Sequence, residues 1–189
     1  GTAALMAETA DAAGLSFPQL PQDVQDELHR YIPANVSVRN PIDNGGVFVM
    51  SSEQSDRLAV IDLATRDPSI DILLFGFNAA YGPLSDRMAA DALTWAPTAR
   101  KPTVAVWAST LTDTQGYRDL VASGVPIFRS FTKCMRAIAV RRQWLVARAA
   151  YARDAHRPAC ALSSRARAIL AKPGVVSAHD ADFLLDEFG

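Results

Sequence analysis

The sequence contains few of the residues that build metal centres and disulfide frameworks. Among 189 residues there are two cysteines and three histidines. Cys134 and Cys160 stand in unrelated contexts, without the spacing that zinc sites use, so both are expected to be free thiols in a reducing compartment. The composition therefore predicts a cytoplasmic protein without a metal site.

The charge balance and the lack of a long apolar run argue against two further classes of protein. Nineteen basic and twenty acidic residues give a net charge of −1, whereas a nucleic-acid-binding protein concentrates Lys and Arg on one surface. No apolar run approaches the roughly 20 residues that span a bilayer, and no basic segment precedes an apolar signal core. We expect neither nucleic acid nor a membrane as a partner.

Apolar runs alternate with amphipathic stretches through most of the chain. Strands are predicted over 36–38, 70–77, 102–108 and 125–128, and helices over 2–13, 21–32, 51–66, 83–95, 112–123 and 132–148. The runs 70–77 and 102–108 are apolar at almost every position, as strands covered on both faces must be. This alternation predicts a parallel sheet with helices on both faces.

The helix predicted over 132–148 is basic on one side. Arginines recur from Arg136 to Arg157 at a spacing typical of the solvated face of a helix, with anion binding as the alternative interpretation. Its buried side is expected to consist of Met135, Ile138, Ala139, Trp144 and Leu145.

The end of the chain differs in composition from the part before it. Residues 149–161 lose the periodicity and are interpreted as a linker, followed by a short helix over 163–171. The last helix, 176–188, has Ser177 as its N-cap, and its apolar residues 183–185 need a partner surface. Because the chain opens on Gly rather than Met and stops directly after this helix, we expect a segment of a longer protein.

Several segments, taken in order, resemble one enzyme family. They are GTAALMAETADAAGL at the start, NPIDNGG from Asn40, RDPSIDILLFGF from Arg66, KPTVAVWA from Lys101 and SGVPIFRSFTKCMRAIA from Ser123. Together they resemble the CoA-ligase module of the succinyl-CoA synthetase superfamily, in its ADP-forming acyl-CoA synthetase branch. The final VVSAHDADFLLDEFG resembles the first helix of the neighbouring ATP-grasp domain, although Ala178, His179 and Asp180 to Asp182 depart from the usual pattern.

The resemblance implies a fold and a division into domains. It implies a flavodoxin-like three-layer α/β/α parallel sheet of strand order 2-1-3-4-5, whose central first strand is missing from this chain. Residues 1–142 would form the CoA-ligase-like domain and residues 143–174 a linker with helical segments. Residues 175–189 would form a truncated first helix of an ATP-grasp domain.

The family's reaction requires a histidine that this chain lacks. In that family ATP phosphorylates a mobile His, the acid then accepts the phosphoryl group, and CoA displaces phosphate. The His lies in a Ser-His-Thr-Gly-like motif, which is absent here, and His29, His156 and His179 stand in unrelated contexts. We therefore predict no catalytic residue in this chain. The resemblance assigns ATP, Mg and CoA to the parent enzyme, with its CoA-binding, His-carrying and ATP-grasp domains as partners, and a homo-oligomer is expected.

Two segments remain as candidate binding sites. The resemblance implies that the first helix faces the phosphohistidine, so that Gly1, Thr2 and Ala3 would present free N–H groups to its phosphoryl oxygens. The alternative is that this helix only packs on the sheet. In the NPIDNGG loop, Asn40 and Asp43 are possible contacts. Asp43 could face a substrate, orient the phosphate loop or cap the helix near Ser51, and the structural alternative is an Asx-turn.

A rival function belongs to a different class. Multidomain protein acetyltransferases carry CoA-ligase-like modules without the catalytic His and use them for regulation or assembly. A non-catalytic scaffold of that kind is the alternative to a working ligase domain. A Ser-His-Thr-Gly motif elsewhere in the parent protein would distinguish the two.

Overall fold

The computed structural model of the protein describes residues 1–78, 81–154 and 162–188. The chain divides into two compact units, Gly1–Arg142 and Gln143–Gly189. The helices of the described residues are α1 (Thr2–Asp11), α2 (Gln22–Leu28), α3 (Gly46–Ser51), α4 (Gln54–Arg66), α5 (Gly82–Trp95), α6 (Gln115–Ala122), α7 (Phe131–Asp154), α8 (Ser164–Leu170) and α9 (Ala178–Phe188), with a short 3₁₀ helix at Ala96–Thr98. None of these helices combines the length and the apolar content of a membrane-spanning segment.

A three-stranded parallel sheet forms the centre of the first unit. Its strands are β1 (Leu73–Phe77), β2 (Thr103–Trp107) and β3 (Ile127–Phe128), in the order β1-β2-β3. Leu73 lies opposite Thr103 and Ala105 opposite Ile127. The apolar runs thus form strands as predicted, although β1 and β3 begin three and two residues later than predicted and β2 is one residue shorter at each end.

Helices cover both faces of this sheet, because alternate strand residues point to opposite sides. On one face α1 and α7 pack against Val104 and Val106 through Met6, Phe131 and Met135. The other face is covered by α5 and α6, whose buried residues Ala89, Ala92 and Leu120 pack against Phe77, Ala105 and Trp107. The predicted three-layer α/β/α class is therefore confirmed.

The strand predicted over 36–38 is wrong. The N–H of Val36 donates to the carbonyl oxygen of Pro33 at 2.9 Å, which closes a turn. Val38 is buried in an apolar cluster with Leu28, Ile32 and Phe48, outside the sheet. The apolar alternation that suggested a strand therefore reflects the burial of Val38 and not ladder pairing.

Several helix boundaries also differ from prediction. The helix expected over 51–66 begins at Gln54, and an unpredicted helix, α3, precedes it, with extended backbone at Ser52 and Glu53 between the two. The helix predicted over 21–32 ends at Leu28. In contrast, α7 continues to Asp154, six residues into the stretch interpreted as a linker. The rest of that stretch, including His156, lies outside the described residues.

The buried side predicted for α7 is only half correct. Met135 is buried and Ile138 packs against the same cluster. Trp144 and Leu145 are exposed, although they were expected to be buried. Both exposed residues belong to the second compact unit, which begins at Gln143.

In the second unit α8 packs against α9. Ser163 caps α8 by accepting from the N–H of Ala166 at 3.1 Å, and its own N–H and hydroxyl both donate to the Glu187 carboxylate at 2.8 Å. The predicted cap of α9 is confirmed, since the Ser177 hydroxyl accepts from the N–H of Asp180 at 3.1 Å. These side-chain bonds fix both helix starts and join the two helices.

Candidate functional site

The start of α1 presents backbone donors. The first hydrogen bond of the helix runs from the N–H of Leu5 to the carbonyl oxygen of Gly1 at 3.2 Å. The N–H groups of Thr2, Ala3 and Ala4 precede it and have no acceptor within the helix. No side chain caps this end. The predicted donors are therefore geometrically free within α1 to bind an external acceptor.

Gly76 of β1 holds this helix start close to the sheet. A Cβ atom built on Gly76 would lie 3.0 Å from Met6 Sδ, 3.3 Å from Thr2 Cγ2 and 3.4 Å from Phe131 Cε1. A side chain at this position would require these three side chains to shift, because all three atoms would be closer than ordinary van der Waals contact. Gly76 is the penultimate residue of its strand, so Thr2 lies near the carboxyl edge of the sheet, where ligands of open α/β sheets bind.

A second helix begins above the same glycine. Phe131 is the first residue of α7, and its ring and the Thr2 methyl group both approach Gly76. Two helix N-termini therefore converge at one edge of the sheet. Each carries a partial positive charge, and neither first turn contains a carboxylate. The electrostatic preference of this edge is for an anion.

Two basic residues lie near the start of α7 in sequence. Arg129 directly follows β3, and one of its Nη atoms donates to the carbonyl oxygen of Ser109 at 2.9 Å. The guanidinium carbon also lies 5.5 Å from the centre of the Tyr117 ring. Lys133 is exposed in the first turn of α7. The sequence analysis missed these residues, although their position after a predicted strand end was the available signal.

The loop that begins at Asn40 is held by hydrogen bonds to other parts of the chain. Asn40 Nδ2 donates to the carbonyl oxygen of Pro18 at 2.9 Å, and the Asn40 carbonyl oxygen accepts from Gln19 Nε2 at 2.8 Å. Asn40 precedes a cis peptide bond to Pro41. These bonds tie the loop to the segment that follows α1.

Asp43 forms a local turn. Its Oδ1 accepts from the N–H of Gly45 at 3.1 Å, which is an Asx-turn, and its side chain is exposed. No side-chain oxygen caps α3, which begins at Gly46. Asp43 therefore forms the Asx-turn and does not cap the helix.

The two candidate segments are not joined by hydrogen bonds in the described part of the chain. No hydrogen bond in the described part of the chain joins Gly1, Thr2 or Ala3 to Asn40 or Asp43. The helix start lies on the sheet edge beside Gly76, whereas the loop is bonded to Pro18 and Gln19. We therefore base the site on the helix start and treat the loop as its support.

Neither a metal-binding group nor a buried histidine accompanies this edge in the part of the chain that the structure describes. Residues 1–78, 81–154 and 162–188 contain no cluster of three His, Cys, Asp or Glu side chains that could hold a metal ion. His29 and His179 are both exposed. Behind the first turn of α7, burial raises the pKa of the Cys134 thiol from 9.0 to about 11. The edge thus offers the backbone amides of the helix starts as its binding groups.

Comparison with known proteins assigns this architecture to a family. The sequence model of the Ligase-CoA domain matches residues 1–157. The chain belongs to the Ligase-CoA domain family. The matched residues include α1, the three described strands of the sheet and α7. The Ligase-CoA domain therefore contains the anion-preferring edge.

Two known proteins are similar to parts of this chain. The alpha subunit of acetate–CoA ligase [ADP-forming] II from Pyrococcus furiosus is 30% identical over 74 residues, which are 39% of this chain and 15% of that protein. A crystal structure of the Pyrococcus horikoshii OT3 protein PH0766 superposes with a TM-score of 0.59 at 20% identity, over 72% of this chain and 31% of that one. The second likeness shows the fold alone, and the chain spans less than a third of either relative.

Proposed function

We propose that this Ligase-CoA domain is part of an ADP-forming acyl-CoA synthetase, in which acid, CoA and ATP give acyl-CoA, ADP and phosphate through a phosphohistidine. Its own part is to bind the phosphohistidine at the start of α1. The observation that carries the proposal is the convergence of α1 and α7 above Gly76. The likeness to the alpha subunit of an ADP-forming acetate–CoA ligase supports the reaction class.

The chemistry follows from the groups at this edge. The phosphoryl group of a phosphohistidine is an anion with several acceptor oxygens, and the N–H groups of Thr2 and Ala3 are donors without helical acceptors. The Thr2 hydroxyl adds a further donor. A helix N-terminus stabilises a nearby anion by about 0.3–1 kcal/mol when exposed and up to about 2 kcal/mol when partly buried. Bound there, the phosphohistidine would be oriented and protected from water.

Other domains complete the enzyme in this proposal. The His carrier, the CoA site and the site for ATP and Mg belong to partner domains, in a cytoplasmic homo-oligomer. Within the chain, residues 1–142 are the CoA-ligase-like domain and 143–174 the linker. The segment 175–189 begins an ATP-grasp domain, and it contains α9.

A reconstitution experiment tests the proposal. The 189-residue chain alone should form no acyl-CoA from ATP, CoA and any of a panel of acids, because no described residue is a phosphoryl carrier. Combined with the His-carrying and ATP-grasp segments encoded with it, the chain should support both phosphorylation of a His by labelled ATP and acyl-CoA formation. Acyl-CoA formation by the chain alone would contradict the proposal.

The scaffold alternative predicts a different result in the same experiment. A CoA-ligase-like module that serves assembly would bind its partner segments, but no His would become labelled with any acid or nucleotide. Binding without phosphorylation would therefore replace the ligase function with the scaffold function.

A further inference from the structure

Another helix, α5, starts at the carboxyl edge of the sheet, on the face opposite α1. Its first hydrogen bond runs from the N–H of Ser85 to the carbonyl oxygen of Tyr81 at 3.2 Å. The N–H groups of Gly82 and Leu84 precede this bond and have no acceptor within the helix, and Pro83 has no N–H. No side chain of the described residues caps this start, and its first turn contains no carboxylate. The start of α5 therefore favours an anion.

A buried hydroxyl group without a partner lies in the same turn. The Ser85 side chain is 1% exposed, and its Oγ forms no hydrogen bond in the described part of the chain. Because the Cα–Cβ bonds of a helix tilt toward its N-terminus, this hydroxyl is directed toward the free N–H groups. A buried hydroxyl without an acceptor destabilises the fold, and a ligand that accepts its hydrogen bond would remove that penalty.

An open cavity of about 550 Å³ adjoins this helix start. It lies between α3 and α5, and Tyr81 and Leu84 share one side of α5 with Ser85, since their spacing is i, i+3 and i+4. The volume falls within the range of about 300–1,000 Å³ that is typical of small-molecule sites. The lining residues are mostly apolar and comprise Gly46, Val47, Met50, Ser51, Tyr81 and Leu84.

The two walls of this cavity are held together. A Cβ atom built on Gly46, the first residue of α3, would lie 3.5 Å from Leu84 Cδ2 on α5. At the other end of α3, one Nη of Arg87 donates to the carbonyl oxygen of Met50 at 2.9 Å. Both ends of α3 thus contact α5, so the cavity is formed before a ligand enters it.

The groups at this site select one class of ligand. Two N–H groups and a hydroxyl complement the oxygens of a carboxylate, and the apolar lining complements a hydrocarbon chain. The described lining residues include no Lys or Arg that would match a phosphate. A second carboxylate inside the cavity would lose its hydration without gaining a partner, so a dicarboxylic acid fits poorly. A monocarboxylic acid with an apolar chain satisfies both parts of the site.

We propose that the start of α5 binds the carboxylate of such an acid, whose apolar chain fills the cavity between α3 and α5. The N–H groups of Gly82 and Leu84 and the Ser85 hydroxyl donate to the carboxylate oxygens. Val47 and Tyr81 contact the chain. This acid is the substrate of the ligase, so the assignment rests on the proposed function. The starts of α1 and α5 lie at the same edge of the sheet, on its two faces, and hold the phosphohistidine and the acid respectively.

Binding of acids to the 189-residue chain tests this site without any ligase activity. The probe is hexanoate, and amide chemical shifts in two-dimensional NMR report where it binds. We expect saturable shifts at Gly82 and Leu84. Hexanamide has a similar chain but no charge, and adipate carries a second carboxylate. Both should bind about tenfold more weakly than hexanoate, since hydrogen bonds to a charged group are the stronger ones and a second charge is poorly accommodated.

Matched variants separate the two parts of the site. Ser85→Ala should weaken hexanoate binding about tenfold, whereas its free energy of unfolding should not fall, because an unpaired buried hydroxyl is removed. Ser123→Ala removes a hydroxyl that donates to the carbonyl oxygen of Leu120 and should leave binding unchanged. Val47→Ser should weaken the binding of hexanoate but not of acetate. Val121→Ser, which removes a 58% exposed apolar side chain from α6, should change neither.

Four results would overturn the proposal. They are the absence of saturable hexanoate binding, equal affinities for hexanoate and hexanamide, undiminished binding by Ser85→Ala, and shifts at Thr2 and Ala3 in place of Gly82 and Leu84. Labelling of a His by ATP in the assembled ligase is a separate measurement. If a His is labelled but hexanoate does not bind at α5, the ligase function stands and this site is wrong. If hexanoate binds at α5 but no His is labelled, the site stands and the ligase function is wrong.

Discussion

Arg57 and Asp91 form a buried ion pair that joins α4 to α5. Arg57 Nε lies 2.6 Å from Asp91 Oδ2, and one Nη lies 3.0 Å from Oδ1. The other Nη donates to the carbonyl oxygen of Ser52 at 2.6 Å, where the backbone is extended between α3 and α4. The guanidinium thus satisfies a helix end and a carboxylate together.

Removing one partner of this ion pair should destabilise the fold. Asp91→Ala leaves a buried guanidinium without its counter-charge, so we expect a loss of about 3–5 kcal/mol in the free energy of unfolding. The control is Asp62→Ala, which removes an exposed pair with Arg66 at 3.6 Å and should cost less than about 1 kcal/mol. Urea unfolding measures both. Equal effects of the two variants would show that the buried pair has no special role.

The stability of the folded chain should depend on pH through the Cys134 thiol. Burial raises the pKa of its thiol from 9.0 to about 11, so the folded chain holds the proton that the unfolded chain releases. Below pH 9 the thiol is protonated in both the folded and the unfolded state, so its ionisation does not lower the free energy of unfolding. Between pH 9 and about 11 only the unfolded state ionises, and the free energy of unfolding should fall.

The comparison variant for this effect is Cys134→Ala. Urea unfolding at a series of pH values should show a steeper decline above pH 9 for the native chain than for Cys134→Ala. Parallel declines would mean that other groups account for the alkaline dependence.

At the scale of elements, α5 and α6 approach each other at Gly116. A Cβ atom on Gly116 would lie 2.7 Å from Ala89 Cβ and 2.9 Å from the Cα atom of Asp86. The N–H of Gly116 also donates to Asp86 Oδ1 at 2.7 Å. A carboxylate from one helix therefore caps the first turn of the next, and only glycine fits between them.

Gly116→Ala should push the two helices apart. We expect a loss of about 1–3 kcal/mol in the free energy of unfolding, typical of overpacking. Gly82→Ala is the matched control, because its Cβ would meet nothing nearer than Thr114 Cγ2 at 3.5 Å. Thermal unfolding should place the Gly116 variant well below the Gly82 variant. Coincident transitions would contradict the close packing.

The same contacts show which elements sequence patterns can predict. The runs at β1 and β2 were predicted because a strand covered on both faces is apolar throughout. The segment 36–38 was wrongly predicted as a strand from the alternation Val-Ser-Val, because Val38 is buried in a cluster of helices and not in the sheet. Periodicity also placed Arg57 on a helix but could not pair it with Asp91, because only the fold brings together residues 34 positions apart. Trp144 was expected to be buried, but it is exposed, because apolar character alone does not show whether another element covers a side chain.

At the scale of the whole molecule, topology creates the proposed site. The start of α1 was predicted as an anion site by resemblance, and the parallel sheet places it near the carboxyl edge. The sequence could not show that the start of α7 belongs to the same site. Residues 2 and 131 are far apart in the chain, and the fold brings both of them against Gly76. Both helices descend from the same edge on the same face, so their positive ends act on the same ligand.

The phosphorylated intermediate itself provides the most direct test of this account. Thr2→Pro removes one N–H, and the Thr2 hydroxyl with it, from the first position of α1, where the proline ring is tolerated. In the assembled ligase, the labelled phosphohistidine should be less stable by on the order of 1–3 kcal/mol. Gln115→Pro makes the same change at the first position of α6 and should have no effect. A phosphohistidine that forms and decays identically in the native and Thr2→Pro enzymes would contradict the central claim.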